Sequence, residues 1–263
     1  MQSFELVRPT SVADATAGFR GDAAFLAGGH TLIPAMKSGL RAVERLVDLG
    51  GVPGLDAIGI EFDRLWIGAM ARHAVVAASP VVRERIPGLA RLAAVIGDPQ
   101  VRARGTIGGS VANNDPAADY PAALLALDAV VETDRGTHAA DDFFQGMFTT
   151  ALDDGELITR VGFRVPQAFA YAKFRHPISR YALAGVAVAR FAEGVRVAVT
   201  GATSSALRWE DAEAALGAEF GPASVAGFTL EHPELASDMH ADAAYRGHLA
   251  GVMLRRAVAD AAG

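Results

Sequence analysis

Two segments of this sequence concentrate glycine where apolar residues abruptly stop. The first, Ala27-Gly28-Gly29-His30-Thr31-Leu32-Ile33-Pro34, follows the strand-like Ala24-Phe25-Leu26 and precedes a helical Ala35-Met36-Lys37. Glycines there let the backbone come close to a bulky anion, and amides at the start of the following helix point toward it. The second runs from Arg104-Gly105-Thr106-Ile107-Gly108-Gly109-Ser110 through Asn113-Asn114 to Asp115-Pro116-Ala117-Ala118-Asp119. It offers paired glycines, successive backbone donors, the hydroxyls of Thr106 and Ser110, and a rigid Asp-Pro turn. Either loop alone reads as a tight turn; two of them could grip an extended dinucleotide from both ends.

The common nucleotide signatures are absent. No two glycines are spaced i, i+2, which excludes GxGxxG, and no Gly-Lys pair exists for a P-loop. The lack of cysteine removes disulfides, thiolate nucleophiles and all-Cys iron-sulfur ligation together, so any redox chemistry in this chain needs an organic cofactor. The seven histidines show no tight ligand spacing; His240 and His248 come nearest and read as surface positions near one helix.

The elements that must position these loops are short. Arg45 to Leu49 and Arg64 to Gly68 read as strands around a turn cluster at Gly50-Gly51-Val52-Pro53-Gly54. Ser79-Pro80 is a helix start, and Pro87 divides the following stretch into two helices ending at Gly97. Another helix begins near Tyr120-Pro121, before a strand at Ala129-Val130-Val131. Val161, Phe163 and Val165 alternate as in a half-buried strand. Beyond Pro166 the composition shifts: Tyr181 to Phe191 and Val195 to Thr200 read as a hairpin turning at Glu193-Gly194. Helices follow at Trp209 to Leu216 and around Tyr245, Leu249, Val252 and Met253.

Length and composition fit this reading. The chain has 263 residues, 51% hydrophobic and 21% charged, enough for one large or two modest domains. No apolar run is long enough to span a membrane, and a net charge of −6 without a basic run gives no footprint for nucleic acid. The start, Met1-Gln2-Ser3-Phe4-Glu5, lacks the pattern of a secretory signal, so a cytoplasmic location is expected.

The two glycine segments carry a resemblance. Ala27 to Pro34 resembles an AGG-H/Q-S/T-L-I/L-P motif, and Gly97-Asp98-Pro99-Gln100-Val101-Arg102 running through Thr106-Ile107-Gly108-Gly109 to Asp119 resembles a second motif, of the FAD-binding medium chains of the molybdenum hydroxylases. That group includes carbon monoxide dehydrogenase and xanthine dehydrogenase. The likeness extends in order to Leu46-Val47-Asp48-Leu49, Ile67-Gly68-Ala69-Met70, Pro121 to Asp128, Gly155-Glu156-Leu157-Ile158, Lys173-Phe174-Arg175-His176-Pro177 and Tyr245-Arg246. It implies an α+β fold: a two-lobed FAD-binding domain of the vanillyl-alcohol oxidase-like type over residues 1–165, with lobes of about 1–54 and 55–165. A C-terminal antiparallel sheet with helices then covers 166–263.

Carried over by position, the resemblance implies that Ala27, Gly28, Gly29, His30 and Thr31 hold the FAD diphosphate through backbone amides. Thr106, Ile107, Gly108, Gly109 and Ser110 would complete the grip; Ser110 stands where the family often has asparagine. Asp119 matches a carboxylate on the flavin's polyol side and also reads as a helix N-cap for Tyr120-Pro121, two roles compatible with each other. Tyr181 matches an aromatic beside the isoalloxazine ring, with a core tyrosine as the alternative. Lys173 either faces the flavin or is an ordinary exposed charge, the second being the favoured reading, and Leu157 and Ile158 either line the adenine or ring pocket or, by default at a strand start, are core.

The resemblance further implies an oxidoreductase subunit that takes electrons from an iron-sulfur (2Fe-2S) small subunit and, through it, from a molybdopterin large subunit. Electrons would leave to quinone, NAD or oxygen, with the assembly a dimer of heterotrimers. Two other functions compete with this one: a self-contained flavin oxidase or reductase, and a docking scaffold without cofactor.

Overall fold

The computed structural model describes residues 2–263; Met1, part of the N-terminal stretch read above, lies outside the described residues. The first layer is a small parallel sheet. β1 (Glu5–Val7), α1 (Val12–Gly18), β2 (Ala23–Leu26), α2 (Leu32–Lys37) and β3 (Arg45–Asp48) follow one another, and the strands lie in the order β1-β3-β2. Parallel neighbours need crossovers, and the two helices supply them. Successive strand residues face opposite sides, so Val47 joins Ala15 and Leu49 in one apolar cluster while Leu46 joins Met36 and Val43 in another. Ser11 caps α1 by accepting from the Asp14 amide at 3.0 Å.

The second unit opens with the hairpin β4 (Ile58–Glu61) and β5 (Arg64–Gly68). Six short helices come next: α3 (His73–Ala78), α4 (Pro80–Arg85), α5 (Pro87–Ala94), α6 (Pro99–Arg104), α7 (Ile107–Asn113) and α8 (Tyr120–Ala126). Proline opens α4, α5 and α6, where its missing N–H costs nothing, and Ser79 and Asp98 cap α4 and α6. β6 (Val130–Thr133), β7 (Thr137–Ala139), α9 (Ala140–Phe143), β8 (Phe144–Gly146), β9 (Thr149–Thr150) and β10 (Ile158–Arg164) complete it. The sheet order is β4-β5-β10-β6-β7, with β8 and β9 paired apart as a small hairpin.

The C-terminal region is an antiparallel sheet, β11 (Ala168–Arg175), β12 (Ala182–Phe191), β13 (Gly194–Thr200) and β14 (Leu207–Arg208), followed by α10 (Glu210–Ala218) and α11 (Ala243–Ala262). The hairpin turning at Glu193-Gly194 is present, with Phe191 paired to Gly194. One face of this sheet, through Val186, Val188, Val197 and Val199, buries Leu249, Met253 and Leu254 of α11. The other face, through Ala187, Ala189 and Ala198, packs into the main core with Leu89, Leu124 and Phe163. Of the apolar stripe read on the last helix, Leu249 and Met253 are buried whereas Tyr245 is largely exposed. Among the described residues no helix is long and apolar enough to cross a membrane.

Candidate dinucleotide site

The two glycine segments are in direct contact. Gly28 leaves β2 and runs against the end of α6 so closely that a β-carbon on it would lie 2.2 Å from the Arg104 carbonyl oxygen and 2.8 Å from the Gly105 Cα. Gly109 faces the same junction, its β-carbon position 3.5 Å from Ala27 Cβ. Gly29 has φ +73°, a conformation that glycine adopts without strain and that aims the chain into α2. The helix begins at Leu32 and so takes in the last three residues of the first segment, Leu32-Ile33-Pro34.

Backbone accounting separates the two segments. Among the described residues, the amides of Gly28, Gly29, His30 and Thr31 donate to no acceptor of the chain. That leaves a run of donors at one bend, the arrangement that cradles an anion. The second segment differs from the open loop its glycines suggest, because α7 occupies Ile107–Asn113. Ile107 N donates to Ala71 O at 3.1 Å, Gly108 N to Ala69 O at 2.8 Å, Gly109 N to Thr106 Oγ1 at 3.2 Å and Ser110 N to Thr106 O at 3.0 Å. These four amides are already engaged. The segment forms a closely fitted wall with the Ser110 hydroxyl on it. Gly108 is glycine for a packing reason: a β-carbon there would meet Ala69 Cβ at 2.5 Å.

Beyond α7 the chain turns at Asn114, whose φ of 40° is left-handed, and enters the Asp115–Asp119 loop. The C-terminal sheet fixes this loop. Thr200 Oγ1 donates to Ala118 O at 2.7 Å and to Pro116 O at 3.0 Å, and Gly201 N donates to Pro116 O at 2.8 Å.

Asp119 stands at the N-cap position of α8 but makes no capping bond. Its carboxylate instead accepts from Tyr171 Oη at 2.6 Å and from Lys173 Nζ at 2.9 Å. The N-cap reading is therefore corrected, and so is the exposed Lys173: its side chain is 2% exposed and paired with a carboxylate 5% exposed. Alternation along β11 puts Tyr171 and Lys173 on one face, both reaching Asp119. Burial pushes the Asp119 carboxyl up, and Lys173 and Tyr171 oppose that rise.

Tyr181 lies one residue before β12 and is 48% exposed, which rules out the core tyrosine. Burial raises its pKa, as do the charges of Asp115 and Asp119. Leu157 and Ile158 are buried core residues. His240 is exposed and hydrogen-bonds His176, while His248 is an exposed position of α11.

Sequence reasoning passed over His73. It opens α3 beneath the loop junction, 5% exposed, and its amide donates to Gly105 O at 2.9 Å. A lone histidine after an apolar strand gives no signal by type, though its neighbours Ile67-Gly68-Ala69-Met70 were part of the resemblance.

The residues present suit a dinucleotide that carries a diphosphate: free amides on one side, a tight glycine-bearing wall on the other, and an aromatic with a paired carboxylate beyond. Comparison with known proteins agrees. Residues 2–168 match the family described as the FAD binding domain in molybdopterin dehydrogenase. The chain is 38% identical to the carbon monoxide dehydrogenase medium chain of Hydrogenophaga pseudoflava, over 97% of this chain and 96% of that one. It is 37% identical to the nicotine 6-hydroxylase medium subunit of Paenarthrobacter nicotinovorans, over 91% and 90%. Its fold superposes on a chain of reconstituted CO dehydrogenase from Oligotropha carboxidovorans with a TM-score of 0.89 and 35% identity, covering 99% and 98%. With a matching family model over most of its length and relatives similar from end to end, this chain belongs to the family of FAD-binding domains of molybdopterin dehydrogenases.

Proposed function

We propose that this chain is the electron-transfer subunit of a multi-subunit molybdenum enzyme, holding FAD where its two glycine segments meet. The observation that carries this reading is the contact between Gly28 and Arg104-Gly105, beside four unengaged amides. Ala27, Gly28, Gly29, His30 and Thr31 hold the diphosphate, and Thr106, Ile107, Gly108, Gly109 and Ser110 form the opposing wall. Asp119 and Tyr181 serve the flavin side, with Lys173 held there by Asp119. When bound, FAD supplies the exchange between one-electron and two-electron carriers. The chain's own residues bind the cofactor, orient it and keep its phosphates in a fixed cradle.

With no cysteine in the chain, iron-sulfur clusters belong to a partner. Electrons enter from an iron-sulfur small subunit fed by a molybdopterin large subunit and leave to quinone, NAD or oxygen, in a cytoplasmic dimer of heterotrimers. Nearly equal similarity to medium chains of a carbon monoxide dehydrogenase and a nicotine 6-hydroxylase supports placing substrate choice in another subunit. Purifying a tagged copy from its native cells tests this. Iron, molybdenum and two further polypeptides accompanying the flavin are expected; a metal-free single polypeptide that oxidises an organic donor unaided would overturn the subunit reading.

A further inference from the structure

His73 is a buried polar group that the fold leaves partly unpaired. Its Nδ1 is sealed from solvent and has no hydrogen-bond partner. Nε2 lies against Gly105, 2.7 Å from where a β-carbon would stand. Gly105 is the residue that Gly28 touches at the junction. His73 is therefore in contact with the wall of the cradle and one residue away from its free amides, and Tyr120 closes its other side, ring centroids 5.5 Å apart.

The tautomer follows from the burial. A sealed N–H without an acceptor is rarer and costlier than a sealed lone pair, so the proton belongs on Nε2 and Nδ1 stays bare. The groups that bear on the ring are His30 from the first glycine segment and Arg102 from α6, both of which oppose a positive charge on it. Burial, reinforced by these two, brings the imidazole from 6.5 down to about 4. The ring is thus neutral at ordinary pH and offers one N–H, on the side of the junction.

We propose that His73 is a further binding residue of the dinucleotide site, its Nε2–H donating to an oxygen of the diphosphate seated where the two glycine segments meet. This rests on the FAD reading above. It differs from a simple packing role in requiring a particular nitrogen, and in requiring that nitrogen to donate.

The test uses the full chain freed of flavin and titrated with FAD. Glutamine places an N–H near the Nε2 position and phenylalanine has no donor. His73→Phe is expected to weaken FAD binding on the order of 10- to 100-fold, the worth of one hydrogen bond to a charged group, while His73→Gln stays within about threefold of wild type. Nitrogen NMR of the wild-type ring gives an answer independent of how the variants fold: Nε2–H in the neutral form, with its signal moving when FAD is added. Equal FAD affinity in His73→Phe, an Nδ1–H tautomer, or a ring signal indifferent to FAD would each overturn the donor role alone. A wild-type chain that binds no FAD either alone or within its reconstituted assembly would overturn the FAD reading and the donor role with it.

Discussion

Single residues here carry opposite burdens that their types do not reveal. Gly28 and Gly108 are both glycines next to a second glycine, yet one meets the Arg104 carbonyl across the site and the other meets Ala69 in the interior. Gly28→Ala should force the two segments apart and cost FAD roughly tenfold or more in affinity, about 1.4 kcal/mol, read by flavin titration. Gly108→Val should instead lower stability by about 1–3 kcal/mol or more, read by chemical denaturation, because α7 loses its seat. The sequence marked both as backbone-approach positions, but what approaches each is a tertiary fact. Lys173 was misread for a similar reason: nothing in its own segment announces that Asp119 waits 54 positions earlier. Asp119→Ala should strand a buried ammonium and cost on the order of 3–5 kcal/mol.

His73 adds a pH dependence at the same scale. Its pKa is lower folded, about 4, than the ordinary 6.5, so between those values the unfolded chain binds more protons. Its contribution is intact above pH 6.5 and is lost as pH falls toward 4, by about 3 kcal/mol in all. Denaturation midpoints should fall through that window in wild type and fall less in His73→Phe. Parallel curves would contradict it.

At the scale of elements, the site depends on short pieces locked by caps and tertiary bonds. Helix starts at Ser79-Pro80 and at Tyr120-Pro121 were legible because proline and hydroxyl caps are local signals. α7 was not, since Gly108-Gly109 weakens helix propensity; it holds because Thr106 caps it and Ala69 packs against it. Its far end is fastened by Asn114, fully buried, whose Nδ2 donates to Gly146 O at 2.7 Å and Thr149 O at 2.8 Å. That residue ties the β8–β9 hairpin to the wall of the site. Asn114→Ala loses both bonds and puts alanine at a left-handed φ. A cost of about 2–4 kcal/mol is expected, with faster hydrogen exchange confined first to residues 144–150. Exchange unchanged there would contradict the clamp.

For the whole molecule, alternation and turn residues made the strands readable one by one, whereas their partners were not. The order β1-β3-β2 and the placement of β10 between β5 and β6 depend on contacts far apart in sequence. The same is true of the core. Phe169, Ala187, Ala189 and Phe191 from the C-terminal sheet belong to the main cluster with Leu89 and Phe163, across the division near Pro166 that composition suggested. We therefore expect residues 166–263 to unfold with the rest in one cooperative transition, and Phe169→Ala to lower stability throughout by about 3–5 kcal/mol. Two resolved calorimetric transitions would count against this coupling.

The most direct test of the central claim is the visible absorption spectrum of the purified chain, with the flavin released by acid identified and counted. Non-covalent FAD near one per chain, held more weakly in Gly28→Ala, is the predicted result. A chain that holds no flavin either alone with added FAD or within its reconstituted assembly would contradict it, as would a bound flavin lacking the adenylate half, since the cradle of free amides would then have no diphosphate to hold.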